Sequence, residues 1–165
     1  MTKTLLAFVL LGLTTSCASQ RAARAPDGSP YTLEVFFDRN SALKNADQVA
    51  QVVEFMEPDL RNILEDTGYV VVPSSNPEAF VPGPGRFLLI IRIVNYNPGS
   101  KAARMLVGFG AGSLVLDTQH LLYSGPGQII LQSAGSVGSA RDWNYAARKI
   151  NQQVTREVNG ALSAR

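Results

Sequence analysis

Residues 86–96, RFLLIIRIVNY, constrain this chain more than any other stretch. Leu88, Ile90 and Arg92 alternate against Leu89, Ile91 and Ile93. Apolar residues on both sides of one extended run predict a central strand with cover on each face. A chain holding such a strand must build a sheet and bring other elements over it. The material for that is present: 45% of the 165 residues are hydrophobic, enough for a core without disulfides.

The flanking patterns supply the rest. Residues 31–37, YTLEVFF, alternate as a strand, and Asp38 to Asn40 break it. Val49, Val52, Val53, Met56, Leu60, Ile63 and Leu64 recur at helical spacing over residues 46–66, with Glu54, Asp59, Arg61 and Glu65 on the other face. Pro58 lies inside that run and predicts a kink or a split near Glu57. Gly68 is placed to cap the helix. Tyr69 to Val72 read as a short strand. Residues 73–85, PSSNPEAFVPGPG, read as a loop with Phe80 and Val81 tucked onto the domain. Strands are expected at Leu114–Ser124 and Gln128–Gln132, joined by the tight Gly125-Pro126-Gly127 connection. A final helix follows, with a cap around Ser139 to Asp142. Its apolar stripe is Trp143, Ala147, Ile150, Val154, Val158 and Leu162, with Arg148, Lys149, Gln152, Arg156 and Glu157 outside.

These elements predict a single two-layer α/β (α+β) domain over residues 31–165. It would hold a mixed, mostly antiparallel sheet of about five strands with two amphipathic helices on one face. The first strand–helix–strand unit would be a right-handed crossover.

The N-terminus carries a different message. Lys3 precedes an apolar run from Leu5 to Leu13, and small residues Thr14, Thr15 and Ser16 lead into Cys17, the only cysteine. The run has the length of a secretion signal and is too short to span a membrane. A cysteine at this place resembles the lipobox of bacterial lipoproteins, with residues 1–16 removed and Cys17 acylated. The departure is Thr14, where the lipobox prefers Leu; the alternative is an ordinary signal cut near Ser16-Cys17-Ala18. Residues 17–30 would then be the lipidated cysteine and a flexible tether. Removing Lys3 with the leader takes the net charge from +2 to +1. No basic stripe is visible, so nucleic acid is not an expected partner.

Motifs for chemistry are sparse. His120 is the sole histidine, and a hydrolytic triad would have to use it, with Asp117 nearby. No nucleophile-elbow motif accompanies it. The bland reading is a surface or half-buried strand histidine. No metal-ligand cluster stands out, so neither a metal nor a cofactor is expected. Gly108, Gly110 and Gly112 lack the lysine of a phosphate loop and lead into a strand rather than a helix. The charged pairs Asp142 with Arg141 and Asp59 with Arg61 read as solvated helix faces. The segment 103–116, ARMLVGFGAGSLVL, is apolar and glycine-rich, so an exposed Met105, Leu106, Val107 and Phe109 would seek a partner or a membrane.

Asn97-Pro98-Gly99-Ser100-Lys101-Ala102-Ala103-Arg104, followed by Leu106-Val107-Gly108-Phe109-Gly110-Ala111-Gly112, resembles the signature of a bacterial envelope family, domain of unknown function 4410. The resemblance implies an exported, often lipobox-bearing protein with following strands and a C-terminal helix. It implies no catalytic residues. Family members often continue with an acid-turn-glycine strand pair; here Tyr123-Ser124-Gly125-Pro126-Gly127 takes that place. Ala18 after Cys17, rather than Asp, resembles the outer-membrane sorting pattern of enteric bacteria.

The expectation is an outer-membrane-anchored, periplasm-facing lipoprotein, the alternative being soluble periplasmic or secreted. It would be no enzyme but a binding or assembly module of the envelope. Arg104, Leu106, Gly108, Phe109, Gly110 and Gly112 would contact an envelope protein partner, and homo-oligomers through strand edges are compatible. The alternative function is a small-ligand or lipid-binding domain with a cleft between the sheet and the 73–85 loop.

Overall fold

The computed structural model describes residues 21–39, 43, 45–100, 113–140 and 142–164. The elements run β1 (Thr32–Asp38), α1 (Ala46–Thr67), β2 (Val70–Pro73), β3 (Arg86–Asn97), β4 (Leu114–Gly125), β5 (Gln128–Ser139) and α2 (Trp143–Ser163). A one-turn 3-10 helix, Pro77–Ala79, interrupts the proline-rich loop.

The five strands form one sheet in the order β2-β1-β3-β4-β5. β1 pairs in parallel with both β2 and β3, whereas the long β3–β4 and β4–β5 ladders are antiparallel. β3 is therefore the middle strand, as its apolar run requires. Register explains the single core. Leu33 pairs with Phe87, Ile91 with His120, and Leu89 with Leu122, so the buried residues of neighbouring strands fall on one face. α1 and α2 pack against each other over that face, with α2 against β4 and β5. Val49, Val53, Met56, Leu60 and Leu64 of α1 and Ala147, Ile150, Val154 and Val158 of α2 complete the core.

Pro58 does not split α1, which is continuous from Ala46 to Thr67. Pro58 and Glu54, the residue whose carbonyl loses its donor, both lie on the exposed face, where water can serve that carbonyl. Met56 and Leu60, fully buried on either side, pin the flanking turns. Gly68 caps the helix at φ 113°, and its N–H donates to Leu64 and Glu65 carbonyls.

Three other expectations are corrected. β5 runs seven residues past Gln132 to Ser139, so Ser139 closes a strand and Asp142 is the cap, accepting from the Tyr145 N–H at 2.9 Å. Val81 is 62% exposed rather than tucked in, although Phe80 is half-buried. Among the described residues, no helix lies over the second face of β3. Leu88 is buried at 5% exposure, but Ile90 and Arg92 are only half-buried and Val94 is 43% exposed.

Residues 21–30 belong to the stretch read as a tether, and here they lie against the domain. The Ala22 N–H donates to the Thr67 carbonyl at 2.8 Å and the Ala23 N–H to Asn159 Oδ1 at 2.9 Å. The Tyr69 hydroxyl donates to the same Asn159 oxygen at 2.8 Å, and burial pushes that phenol up to about 12. Asp27 makes an Asx turn with Ser29, and Arg24 bridges to Pro30.

Candidate functional site

His120 is fully buried, not half-buried or exposed, on the helix-facing side of β4. Its Nε2 lies 2.8 Å from Thr118 Oγ1 and its Nδ1 lies 2.8 Å from Glu157 Oε2. The Ser133 hydroxyl donates to Glu157 Oε2 at 2.6 Å, and Gln153 Nε2 donates to Glu157 Oε1 at 2.7 Å and to the Ala134 carbonyl at 3.1 Å. One self-consistent proton assignment follows: Nδ1–H donates to the carboxylate, and the Thr118 hydroxyl donates to Nε2.

The electrostatics agree with that assignment. Desolvation holds the His120 pKa below its ordinary value, against the opposing pull of Glu157. Glu157 is also lowered: desolvation pushes it up, but hydrogen bonds from Ser133, Gln153 and His120 outweigh that. The native pair is thus neutral imidazole beside carboxylate.

Hydroxyl, imidazole and carboxylate stand in the order of a hydrolytic triad. Thr118 is only 1% exposed and His120 is 0% exposed, so no substrate carbonyl reaches the hydroxyl. The cluster satisfies polar groups inside a helix–sheet interface. Asp117, the triad partner considered from sequence, points the other way and accepts from Asn95 at 2.8 Å and Ser136 at 2.6 Å. Asp59 is no bare surface charge: Asn151 donates to it at 2.9 Å and Arg148 at 3.1 Å, so it ties α1 to α2.

Gly135 makes room for this cluster. A Cβ there would stand 2.9 Å from both Ile150 Cδ1 and Thr118 Oγ1 and 3.1 Å from His120 Cε1. Sequence reasoning missed Glu157, Ser133, Thr118 and Gln153. The available signal was Ser133 within a small-residue strand, but its place opposite His120 depends on irregular register between β4 and β5 near Leu122 and Tyr123.

The open face of the sheet carries a groove of about 310 Å3. Leu88, Ile90 and Tyr123 make its floor, with Pro77 and Phe80 on one side and Pro126 on the other. It lies between the sheet and the proline-rich loop, where a cleft was expected. Beyond it, Arg92 Nε donates to Asp38 at 2.6 Å.

Cys17, Arg104, Leu106, Gly108, Phe109, Gly110 and Gly112 lie outside the described residues. The strand ends that flank the glycine-rich segment, Asn97 of β3 and Leu114 of β4, lie at one end of the sheet, where Asn97 pairs with Val115. Ala22 is at the opposite end, beside Thr67. Among the described residues, no group of three or more His, Cys, Asp or Glu side chains could hold a metal ion. Among the same residues, no helix is long and apolar enough to cross a membrane.

The fold and site define a small α+β domain with a histidine-centred polar cluster at its helix–sheet interface. The chain belongs to the family described as domain of unknown function DUF4410, whose model matches residues 17–162. No curated protein matches. Among solved structures, a variant PelC dodecamer from Paraburkholderia phytofirmans is similar at TM-score 0.52 and 13% identity, covering 84% of this chain and 90% of that one. A second PelC dodecamer structure from the same organism gives TM-score 0.46 and 10% identity, covering 78% and 85%. At such identities the likeness shows the fold alone.

Proposed function

We propose that this protein is a lipid-anchored, periplasm-facing module of the bacterial outer membrane that works by binding and assembly rather than by catalysis. One observation carries the proposal. Thr118 and His120, which with Glu157 make up the cluster with catalytic residue types, are sealed in the core, while among the described residues one face of the sheet has no helix over it and β2 and β5 are its edge strands. Surface left open in this way serves partners better than substrates. Cys17 would be the acylated anchor. Arg104, Leu106 and Phe109, with Gly108, Gly110 and Gly112, would contact an envelope protein. PelC, similar in fold, forms a dodecamer, which favours multi-copy assembly for this chain as well.

The test uses the lipidated, full-length chain extracted in mild detergent. The expected result is a particle larger than one copy, reduced to one copy by Leu106→Asp with Phe109→Asp while the circular dichroism spectrum is unchanged. A native chain that stays monomeric with no partner attached would sink the proposal.

The groove under Phe80 favours a second reading, a site for a small apolar ligand. About 310 Å3 lies at the lower limit for small-molecule pockets. A ligand retained in native mass spectra and lost on Leu88→Asp would support it.

A further inference from the structure

The end of the domain that receives the N-terminal segment also carries two loops without a charged residue, 80–85 and 124–129. Three loops meet there. Residues 25–29 lie against Pro84 and Gly85, lining a depression with Tyr31 and Phe87. The Thr32 N–H donates to the Gly85 carbonyl at 2.8 Å. A Cβ on Gly125 would lie 3.9 Å from Pro82 Cβ, so the 125–127 turn adjoins the 80–85 loop. Phe80 to Gly85 and Ser124 to Ile129 contain no charged residue. Val81 is 62% exposed, Ile129 is 45% exposed, and Pro82, Pro84 and Pro126 are exposed beside them.

The chain leading to Cys17 fixes what covers this surface. The backbone is tied to the domain from Ala22 onward, through Thr67 and Asn159. Five residue steps then separate Ala22 from Cys17. Fully extended, they reach roughly 17 Å at about 3.4 Å each. A twelve-residue strand such as β3 is about 40 Å long. The leash is less than half the length of the domain, so it cannot bring the opposite end, where Asn97 and Leu114 lie, to the anchor.

We propose that this end, with Pro82, Pro84, Val81, Pro126 and Ile129 foremost, rests on the lipid surface in which Cys17 is held. The inference depends on the lipid-anchor reading above. Arg21, Arg24 and Arg86 stand near it with Asp27, Glu65 and Asp66, so charges of both signs flank the contact. The contact is apolar and interfacial rather than a selection for anionic lipid. The opposite end of β3 and β4 is thereby held out from the membrane.

The experiment uses the full-length acylated chain in vesicles of phosphatidylethanolamine and phosphatidylglycerol. An environment-sensitive fluorophore is attached at Val81→Cys, and in a second preparation at Val94→Cys near the far end. Flotation of vesicles reports the anchor, and spin-labelled headgroups report proximity. The expected result is flotation of both, with quenching at position 81 at least threefold that at 94. Flotation with equal quenching at the two positions overturns the inference and leaves the anchor standing. Failure to float overturns the anchor reading and the inference with it.

Discussion

The two faces of the sheet follow different rules. The helix-facing side carries Leu33, Leu89, Ile91, Leu116 and Leu122, none more than 0% exposed, with one polar island at His120. The open side carries an apolar strip of buried Leu88 and half-buried Ile90 and Tyr123, bounded by the Arg92–Asp38 and Arg86–Glu34 ion pairs, which are partly in water. On the first face the ring nitrogens of His120 both find partners, because burying a polar atom without one costs about 1–3 kcal/mol. On the second face water relaxes that demand, and residues are free to serve a ligand or partner. A histidine with triad-like neighbours sits on the face where solvent has no access, so its geometry reads as structure.

That contrast can be broken most sharply by truncation. Leu89→Ala should destabilise the domain by about 2–5 kcal/mol, whereas Val94→Ala on the open side of the same strand should cost less than about 1 kcal/mol. Urea midpoints of the two variants check this, and equal shifts would contradict the division of faces. Next in size is Gly135→Ala. The added methyl would press on Ile150, Thr118 and His120, for an expected cost of about 1–3 kcal/mol. Thermal melts measure it, and a neutral result would mean that the helix–sheet gap takes up the methyl without strain.

The polar island predicts a pH response. His120 is held below its ordinary 6.5, so the unfolded chain takes up that proton first as pH falls, and native stability drops below about pH 6.5. Glu157 is held below its ordinary 4.5, so its contribution is present above 4.5 and is lost as pH falls through the lower native value. Both groups destabilise in the same direction. Stability followed from pH 8 to pH 4 should fall towards acid, and a His120→Leu, Glu157→Leu pair should flatten the curve. An unchanged slope in the pair would place the titrating groups elsewhere. The smallest effect is expected from Arg92→Ala. Its partner is 2.6 Å away but half in solvent, and such pairs contribute about 0–1 kcal/mol.

Much of this fold was legible because its signals are local. β3 announced itself by continuous apolar residues, and α2 by a stripe whose later members, from Ala147 to Leu162, are all buried. The second half of β5 was not legible, since QSAGSVGS offers small polar residues in place of an apolar alternation. Only pairing with β4 makes it a strand. Glu157 looked like an outward helix charge beside Arg156, and it turns inward because a buried imidazole lies 2.8 Å from it. The long-range register that brings His120, Ser133 and Glu157 together is not encoded in any short window.

The central claim, that the protein acts by assembly and not by chemistry, is tested most directly by the native mass of the detergent-extracted, acylated chain. The claim predicts a particle of several copies, or of this chain with an envelope protein. That particle should survive Thr118→Val, which removes the buried hydroxyl, and collapse on Leu106→Asp with Phe109→Asp. A single-copy mass for the unaltered chain, unchanged by either set of substitutions, would contradict it.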